Sequence, residues 1–393
     1  MTMLDLTVHF ARFRAAAPER INLAAHSHHD WPDVTFAAQE QCWHDAARLA
    51  GDKWDLMFEE LIPRVQAGIA QQLSLPDPST ISVAPNTHEF LRRLLSCFPA
   101  DRPVRILTSD AEFHTARRQL ERLEEDRLVA VTRISAEPFE SFAERFHAAC
   151  ESGGHDLVFV SQVFFTSSAT SGKLRTLVEA VRSRDTFVAI DGYHGFMARP
   201  TDLSDIADRA FYLAGGYKYA MAGEGCCFLH CPPGYGPRPR DTGWFADFGS
   251  LAAPSGKSVG YPEHGGRFLG ATFDPSGLYR LAAVFDWLAH EGITVEQVHL
   301  HAQALMARFL KGIEAVHIEG LRPTDLITPF GSNAEHGNFL AFWTPRAGEI
   351  DAKLASAHVH CDHRGDRLRF GFGICTNGAD VDQALARIGR VIA

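Results

Sequence analysis

The chain has 393 residues, 46% of them hydrophobic, and a formal net charge of −10. That length and apolar content can bury a sizeable core, with room for one large domain and one smaller one. The acidic balance, with no dense Lys/Arg run to reverse it locally, argues against nucleic acid or an anionic membrane as partner and points to small-molecule chemistry.

The first 35 or so residues include I-N-L-A-A-H-S-H-H-D-W-P, which reads as an extended arm ending where Pro32 disfavours helical geometry at Trp31. His26, His28 and His29 invite a metal reading. However, neighbours 28 and 29 would face opposite sides of a strand, and no Cys or Glu-x-x-His partner follows at ligand spacing. A position at an active-site mouth fits better, with Ser27 and His29 as candidate substrate contacts and no metal. From Val34 to Gln72 apolar residues recur at helical spacing, and a strand is expected over Thr80 to Ala84. Pro85, Asn86 and Thr87 then precede E-F-L-R-R-L-L-S-C-F, with Phe90, Leu91, Leu94, Leu95 and Phe98 on one face. Asn86 or Thr87 caps this helix, and its start, with free amides and a positive dipole end, suits a phosphate.

The run R-I-L-T-S-D-A-E-F-H-T-A-R-R is a strand entering a loop and helix. Phe113 sits just past the strand end, where its ring could stack on a ligand or join the core. H-D-L-V-F-V-S-Q-V-F-F is a strongly apolar strand with Ser161 near its end. Helices alternating with the apolar runs through Leu157, Val188 and Phe211 imply a mostly parallel sheet covered on both faces, whose ligands bind at the carboxyl ends of strands.

The richest stretch runs from Ala189 to Cys227: A-I-D-G-Y-H-G-F, a polar loop, then F-Y-L-A-G-G-Y-K-Y-A-M-A-G-E-G-C-C. It delivers Asp191 and His194 to the end of one strand, and Tyr217 and Lys218 past the end of another. An acid, an imidazole, a phenol and an amine arriving together suit pyridoxal phosphate: the amine forms a Schiff base, and the carboxylate keeps the ring nitrogen protonated. Of six lysines, at 53, 173, 218, 257, 311 and 353, only Lys218 lies among glycines and aromatics beside a strand.

After Cys231 a turn-rich connector leads to G-W-F-A-D-F and G-G-R-F-L-G-A-T-F-D-P, loops suited to reaching a neighbouring subunit's site. A long helix begins after Pro275. The remainder reads as a smaller α/β domain, with helices around 296–315 and 380–392 and strands over Asn338 to Trp343 and Arg367 to Phe372. The expected division is an arm over 1–40, a large cofactor-binding domain over 41–275 and a small domain over 276–393. Eight cysteines without a Cys-x-x-Cys framework suggest reduced thiols in a cytoplasm. No secretion signal or membrane span is visible. The chain shows no G-x-x-x-x-G-K-[ST], H-E-x-x-H or G-x-S-x-G motif.

Taken together, these residues resemble fold-type I pyridoxal phosphate enzymes of the class V aminotransferase group, and within it the kynureninases. G-G-Y-K-Y is similar to the kynureninase segment around its Schiff-base lysine, I-D-G-Y-H-G to its Asp-x-x-His pair, G-W-F-A-D to its Gly-Trp-Phe loop, and D-R-L-R-F-G-F to its C-terminal arginine strand. The resemblance implies an α/β fold with a mixed, mostly parallel seven-stranded sheet and a smaller C-terminal domain. It also implies pyridoxal 5′-phosphate as cofactor, a small amino acid as substrate and a homodimer with shared active sites. Residue by residue, Lys218 would hold the aldehyde and shuttle protons, Asp191 would pair with the ring nitrogen, and His194 would lie near the ring substituents. Asn86, Thr87 and Ser161 would lie around the phosphate, Phe113 would stack on the ring, and Tyr217 would bond the phosphate and act as an acid. Trp244 and Thr272 would come from the partner subunit, and Arg369 would clamp the α-carboxylate. The implied reaction is hydrolytic cleavage of the Cβ–Cγ bond of kynurenine. The chain departs from the pattern on the substrate side, with A-H-S-H-H-D where kynureninases have Gly-Asn-Ser-Leu-Gly. Other class V chemistry stays open: an aminotransferase, a β-lyase, or a cysteine desulfurase using Cys361 in V-H-C-D-H-R-G. A non-catalytic protein on the same fold is a further alternative.

Overall fold

The computed structural model describes residues 4–250, 258–331 and 335–392. Its strands, in chain order, are β1 (Ile21–Asn22), β2 (Ile81–Ala84), β3 (Val104–Ser109), β4 (Val129–Ile134), β5 (Leu157–Ser161), β6 (Phe187–Asp191), β7 (Ala210–Gly215), β8 (Cys227–His230), β9 (Phe339–Trp343), β10 (Val359–His360), β11 (Asp362–Arg364) and β12 (Arg367–Gly371). Seven of them form the central sheet in the order β2-β8-β7-β6-β5-β3-β4. Only β8 runs against its neighbours β2 and β7; the other pairings are parallel. This is the α/β architecture expected of the sequence.

The unbroken apolar runs of these strands follow from cover on both faces. Side chains alternate across a strand, so Val158, Val160, Val188 and Ile190 join a core with Val65, Ile69, Phe142 and Phe146. Their neighbours Leu157, Phe159 and Ala189 join a second core with Phe90, Leu94 and Leu120 on the opposite face. A third core holds the smaller unit, where β11, β12 and β9 form an antiparallel sheet. Helices Val295–Val316, Ala347–Ser356 and Gly378–Ile392 contribute to this core. The first of these begins at a capping box, Thr294 with Gln297, which satisfies two otherwise open amides.

Two features bear on the arm and on the division between domains. The stretch read as extended carries β1 and no helix, and ahead of it the chain forms a helical segment from Thr7 to Ala16 whose Phe10 packs into the large core. The helix Ser276–Glu291, assigned above to the small domain, sends Leu278, Leu281, Val284 and Leu288 into the core of the large one. We therefore propose that the division between domains falls after Glu291 rather than at 275. No described helix is long and apolar enough to cross a membrane.

If that helix is integral to the large core, Leu281→Ala should lower unfolding free energy by about 2–5 kcal/mol in urea titrations, because it leaves a cavity among packed side chains. The volume-conserving Leu281→Met should cost less than about 1.5 kcal/mol.

Candidate active site

The carboxyl ends of β2, β5 and β6 converge with the residues after β7 on a cleft of about 240 Å³. Asn86, Thr87, Phe113, Ser161, Asp191, His194, Tyr217 and Lys218 all line it, as do Tyr193 and Cys227. The chain can turn sharply out of β7 because Gly216 has no side chain: a Cβ there would stand 2.2 Å from Cys226 Sγ.

Lys218 is buried, and its Nζ donates to the carbonyl of His26 at 2.9 Å. The rings of Tyr217, Tyr193 and Phe113 lie 5.0, 5.6 and 5.9 Å from Nζ. Burial, aided by the nearby Arg369 charge, pushes the amine down to about 7. A substantial share is therefore uncharged, and nucleophilic, at neutral pH. Asp191 accepts the Tyr193 amide at 2.9 Å. Burial raises its carboxyl to about 6, with that amide and Lys218 pulling the other way. His194 is buried, and burial together with Lys218 and Arg369 holds it neutral, well below its usual range. Its Nε2 has no hydrogen-bond partner among the described residues.

Asn86 caps the helix Thr87–Ser96 by accepting the Glu89 amide at 3.1 Å. Its side chain is therefore turned to the helix, while Thr87 and His88, the first two helical residues, border the cleft. Tyr217 is flanked by His28 and Tyr193, with ring centroids at 5.2 and 4.9 Å, and burial pushes its phenol up to about 12. The Ser161 hydroxyl donates to Glu112 Oε2 at 2.5 Å, so that proton is not directed to the cleft. Sequence reading passed over Glu112 and Tyr193, and weighed His28 only together with His26 and His29, as metal ligands or as histidines at an active-site mouth. The first is a buried acid, pushed up to about 7 by burial against the hydrogen bonds of Ser109 and Ser161. Its only signal was a charged residue just past a strand end.

The remaining expected residues stand outside the lining of the cleft. Arg369 on β12 is buried, and its Nε and Nη2 meet Asp362 at 2.8 and 2.5 Å while Nη1 donates to the Phe165 carbonyl. Burial alone would raise Asp362, but His26 Nε2 at 3.0 Å and Arg369 hold it well below the usual carboxylate range. Ser27 lies in a turn, its hydroxyl 3.3 Å from His28 Nδ1. His29 is a correction: it is buried, bonded through Nδ1 to the Asp30 carbonyl at 2.7 Å, and packed near Phe10 and Tyr219. The turn after Ala24 sends His28, rather than His29, to Tyr217 at the mouth. Trp244 Nε1 donates to Thr272 Oγ1 at 3.1 Å, away from the cleft. Cys361 is buried with Sγ 3.3 Å from Asp351, and burial raises its thiol well above the ordinary value.

Pyridoxal phosphate fits these residues. His194, whose buried Nε2 has no partner among the described residues, lines a cleft that also holds a buried acid, a buried amine of depressed basicity and a helix N-terminus, which together match a ring bearing a nitrogen, an aldehyde and a phosphate.

Residues 57–327 match the family described as aminotransferase class-V. No curated protein matches the chain. Among solved structures, the chain is similar to the cystine C–S lyase C-DES in complex with its product cysteine persulfide, at 17% identity and a TM-score of 0.79, covering 97% of this chain and 100% of that one. A variant of C-DES with glycine covalently linked to its PLP cofactor matches at 17% identity and a TM-score of 0.76, over 97% and 99% of the two chains. The apo cysteine desulfurase of Thermococcus onnurineus NA1 matches at 15% identity and a TM-score of 0.76, over 100% and 98%. From its sequence match and its fold, the chain belongs to the class V aminotransferase family, fold-type I enzymes with pyridoxal 5′-phosphate as cofactor.

Proposed function

We propose that this chain is a pyridoxal phosphate-dependent β-lyase acting on an amino acid with a sulfur leaving group on Cβ. The observation that carries the reading is the pairing of a buried, weakly basic Lys218 with a cleft that offers no reactive thiol. A desulfurase needs a cysteine thiolate to take the substrate's sulfur. All eight cysteines are described, and only Cys227 lines the cleft; burial pushes its thiol up to about 12. Cys361 is engaged by Asp351 inside the small core. Elimination needs a base, an acid and an anion clamp, and no thiol. The C–S lyase among the structural relatives agrees with this choice. Neither the family match nor these relatives name kynurenine, so hydrolysis of a Cβ–Cγ bond is not carried forward.

In the proposed reaction the Cα–H and Cβ–S bonds break, the sulfur leaves as a thiol, and water completes the conversion of the remainder to pyruvate and ammonium. When bound, the cofactor supplies the electron sink that makes the α-proton acidic. Lys218 takes that proton as its general base, at an Nζ that burial leaves partly unprotonated. Tyr217, whose raised phenol keeps its proton at neutral pH, donates to the departing sulfur. With the cofactor bound, Asp191 would pair with the ring nitrogen, His194 would bond a polar ring substituent, the helix start at Thr87 would hold the phosphate, and Phe113 would supply an apolar face for the ring. Asn86 secures that helix start, and Ser161 joins the phosphate wall through Glu112. Arg369, pre-oriented by Asp362, takes the α-carboxylate. Trp244 and Thr272, remote from their own cleft, serve the second site of a homodimer.

Lys218→Ala should abolish pyruvate release from S-aryl cysteines, a loss of at least about 1000-fold in kcat, while Cys361→Ala should retain activity within about twofold. Sulfide release that vanishes in Cys361→Ala would overturn the lyase reading in favour of a desulfurase, and anthranilate release from kynurenine would overturn it in favour of a hydrolase. The depressed amine predicts a pH dependence. Capture of added pyridoxal phosphate by the apoprotein should rise with pH through a midpoint near 7, because the unprotonated amine attacks the aldehyde. An ordinary lysine would still be gaining reactivity near pH 10. Stopped-flow absorbance at the imine band gives the profile.

A further inference from the structure

A second chamber, of about 550 Å³, adjoins the cleft. Phe165 lines both. Its ring stands edge-on to Phe113 and His114, at 5.2 and 5.0 Å, and its carbonyl accepts Arg369 Nη1. A group bound against Lys218 and Arg369 thus lies one aromatic residue away from the chamber.

Three acidic residues and three arginines face this space, and they differ in how they are held. Its carboxylates are engaged at home: Asp110 takes the Ala136 amide at 2.8 Å, and Glu112 takes the hydroxyls of Ser109 and Ser161 at 2.6 and 2.5 Å. Glu137 is met by Arg367 at 2.5 Å. Two cations have weaker carboxylate contacts. Arg364 donates from Nη1 to the His363 carbonyl at 2.7 Å and stands 3.5 Å from Asp362, a carboxylate that already serves both Arg369 and His26. Arg117 is 4.0 Å from Glu121 and 3.4 Å from His114 Nδ1. Their side chains are 40% and 52% exposed, open enough to turn toward a ligand. The resulting field is felt locally: after burial, Arg117, Arg364 and Arg369 are the influences that hold His114 below its usual range. The turn at Arg364, Gly365 and Arg367 also lines a third, outer groove, which gives the chamber a route to the surface.

We infer that this chamber is a distal subsite for the substrate's side chain, selecting amino acids whose far end carries a carboxylate, with Arg364 and Arg117 as its anchors. The inference deepens the proposed function and rests on its premise that the cleft binds an amino acid. Arg369 then takes the α-carboxylate and the chamber takes the second anion, so the preferred substrate is anionic at both ends.

The test compares 2-aminoadipate with norleucine, which are similar in length and differ in the distal carboxylate. Neither has a β leaving group, so both report binding through the absorbance of the holoenzyme's cofactor. The expected result is a preference of about tenfold or more for 2-aminoadipate, the scale of a hydrogen bond to a charged group. Arg364→Met and Arg117→Met should each bring the ratio of the two dissociation constants toward one. Taking the ratio within each variant removes any general effect on the fold. Equal affinities in the unmodified enzyme, or a ratio unmoved by both substitutions, would overturn the subsite. A cofactor that responds to neither amino acid would likewise overturn the subsite; if S-aryl cysteines still yielded pyruvate, the lyase reading would survive alone, and if they did not, both would fall.

Discussion

The site depends on the removal of one amine from water. Lys218 sits at the end of a strand whose side chains are buried on both faces, and its Nζ is received by a main-chain carbonyl from the N-terminal arm. A neutral carbonyl dipole does little to hold a proton on nitrogen, whereas a carboxylate in the same place would do much. With the nearest carboxyl groups turned to other partners, Asp362 to Arg369 and His26, and Asp191 to the Tyr193 amide, burial decides the amine's state. The protein therefore presents a nucleophile and base at neutral pH from a residue that in water would be almost wholly charged.

The sheet supplies the geometry that this chemistry needs. Parallel strands bring their carboxyl ends to one edge, so residues far apart in sequence, such as Thr87, Ser161, Asp191 and Lys218, meet without long loops. Tight packing under that edge restricts what can stand there. Ser161 and Glu112 form a buried hydrogen-bonded unit beneath the cleft wall, and Tyr193 lies against both Tyr217 and Cys227. Such a floor keeps the acid and the amine at a fixed spacing, which electrostatic preorganisation requires.

Much of this was legible in the chain itself. The apolar runs and their alternation with helical spacing announced a doubly covered parallel sheet, and the cap at Asn86 marked a helix start that borders the cleft. The Asp191 and Lys218 stretch was readable because scarce residue types cluster at strand ends. What was not legible depended on contacts between distant segments. Nothing near Arg369 in sequence, except the unremarked Asp362, indicates that its guanidinium is already paired. The facing of His28 and His29 was settled by a turn after Ala24 that adjacent-residue alternation does not foresee. The helix from Ser276 carries apolar residues that would suit either domain, and only the complementary surface of the large core determines where it goes.

The path of the arm has a mechanical consequence. Phe10 and Ala25 are fixed in the large core, while Ile21 and Leu23 between them belong to the small one, stitched there by β1 against β10 and by the contact of Ala24 with Gly371. Gly371 is required at that seam, since a Cβ would fall 2.1 Å from His26 Nδ1. The backbone of His26 is thus a rivet through both bodies, and its carbonyl is the one that holds Lys218. Any hinge movement of one body against the other would pull on that carbonyl, so the posture of the two bodies sets how firmly the Lys218 amine is held.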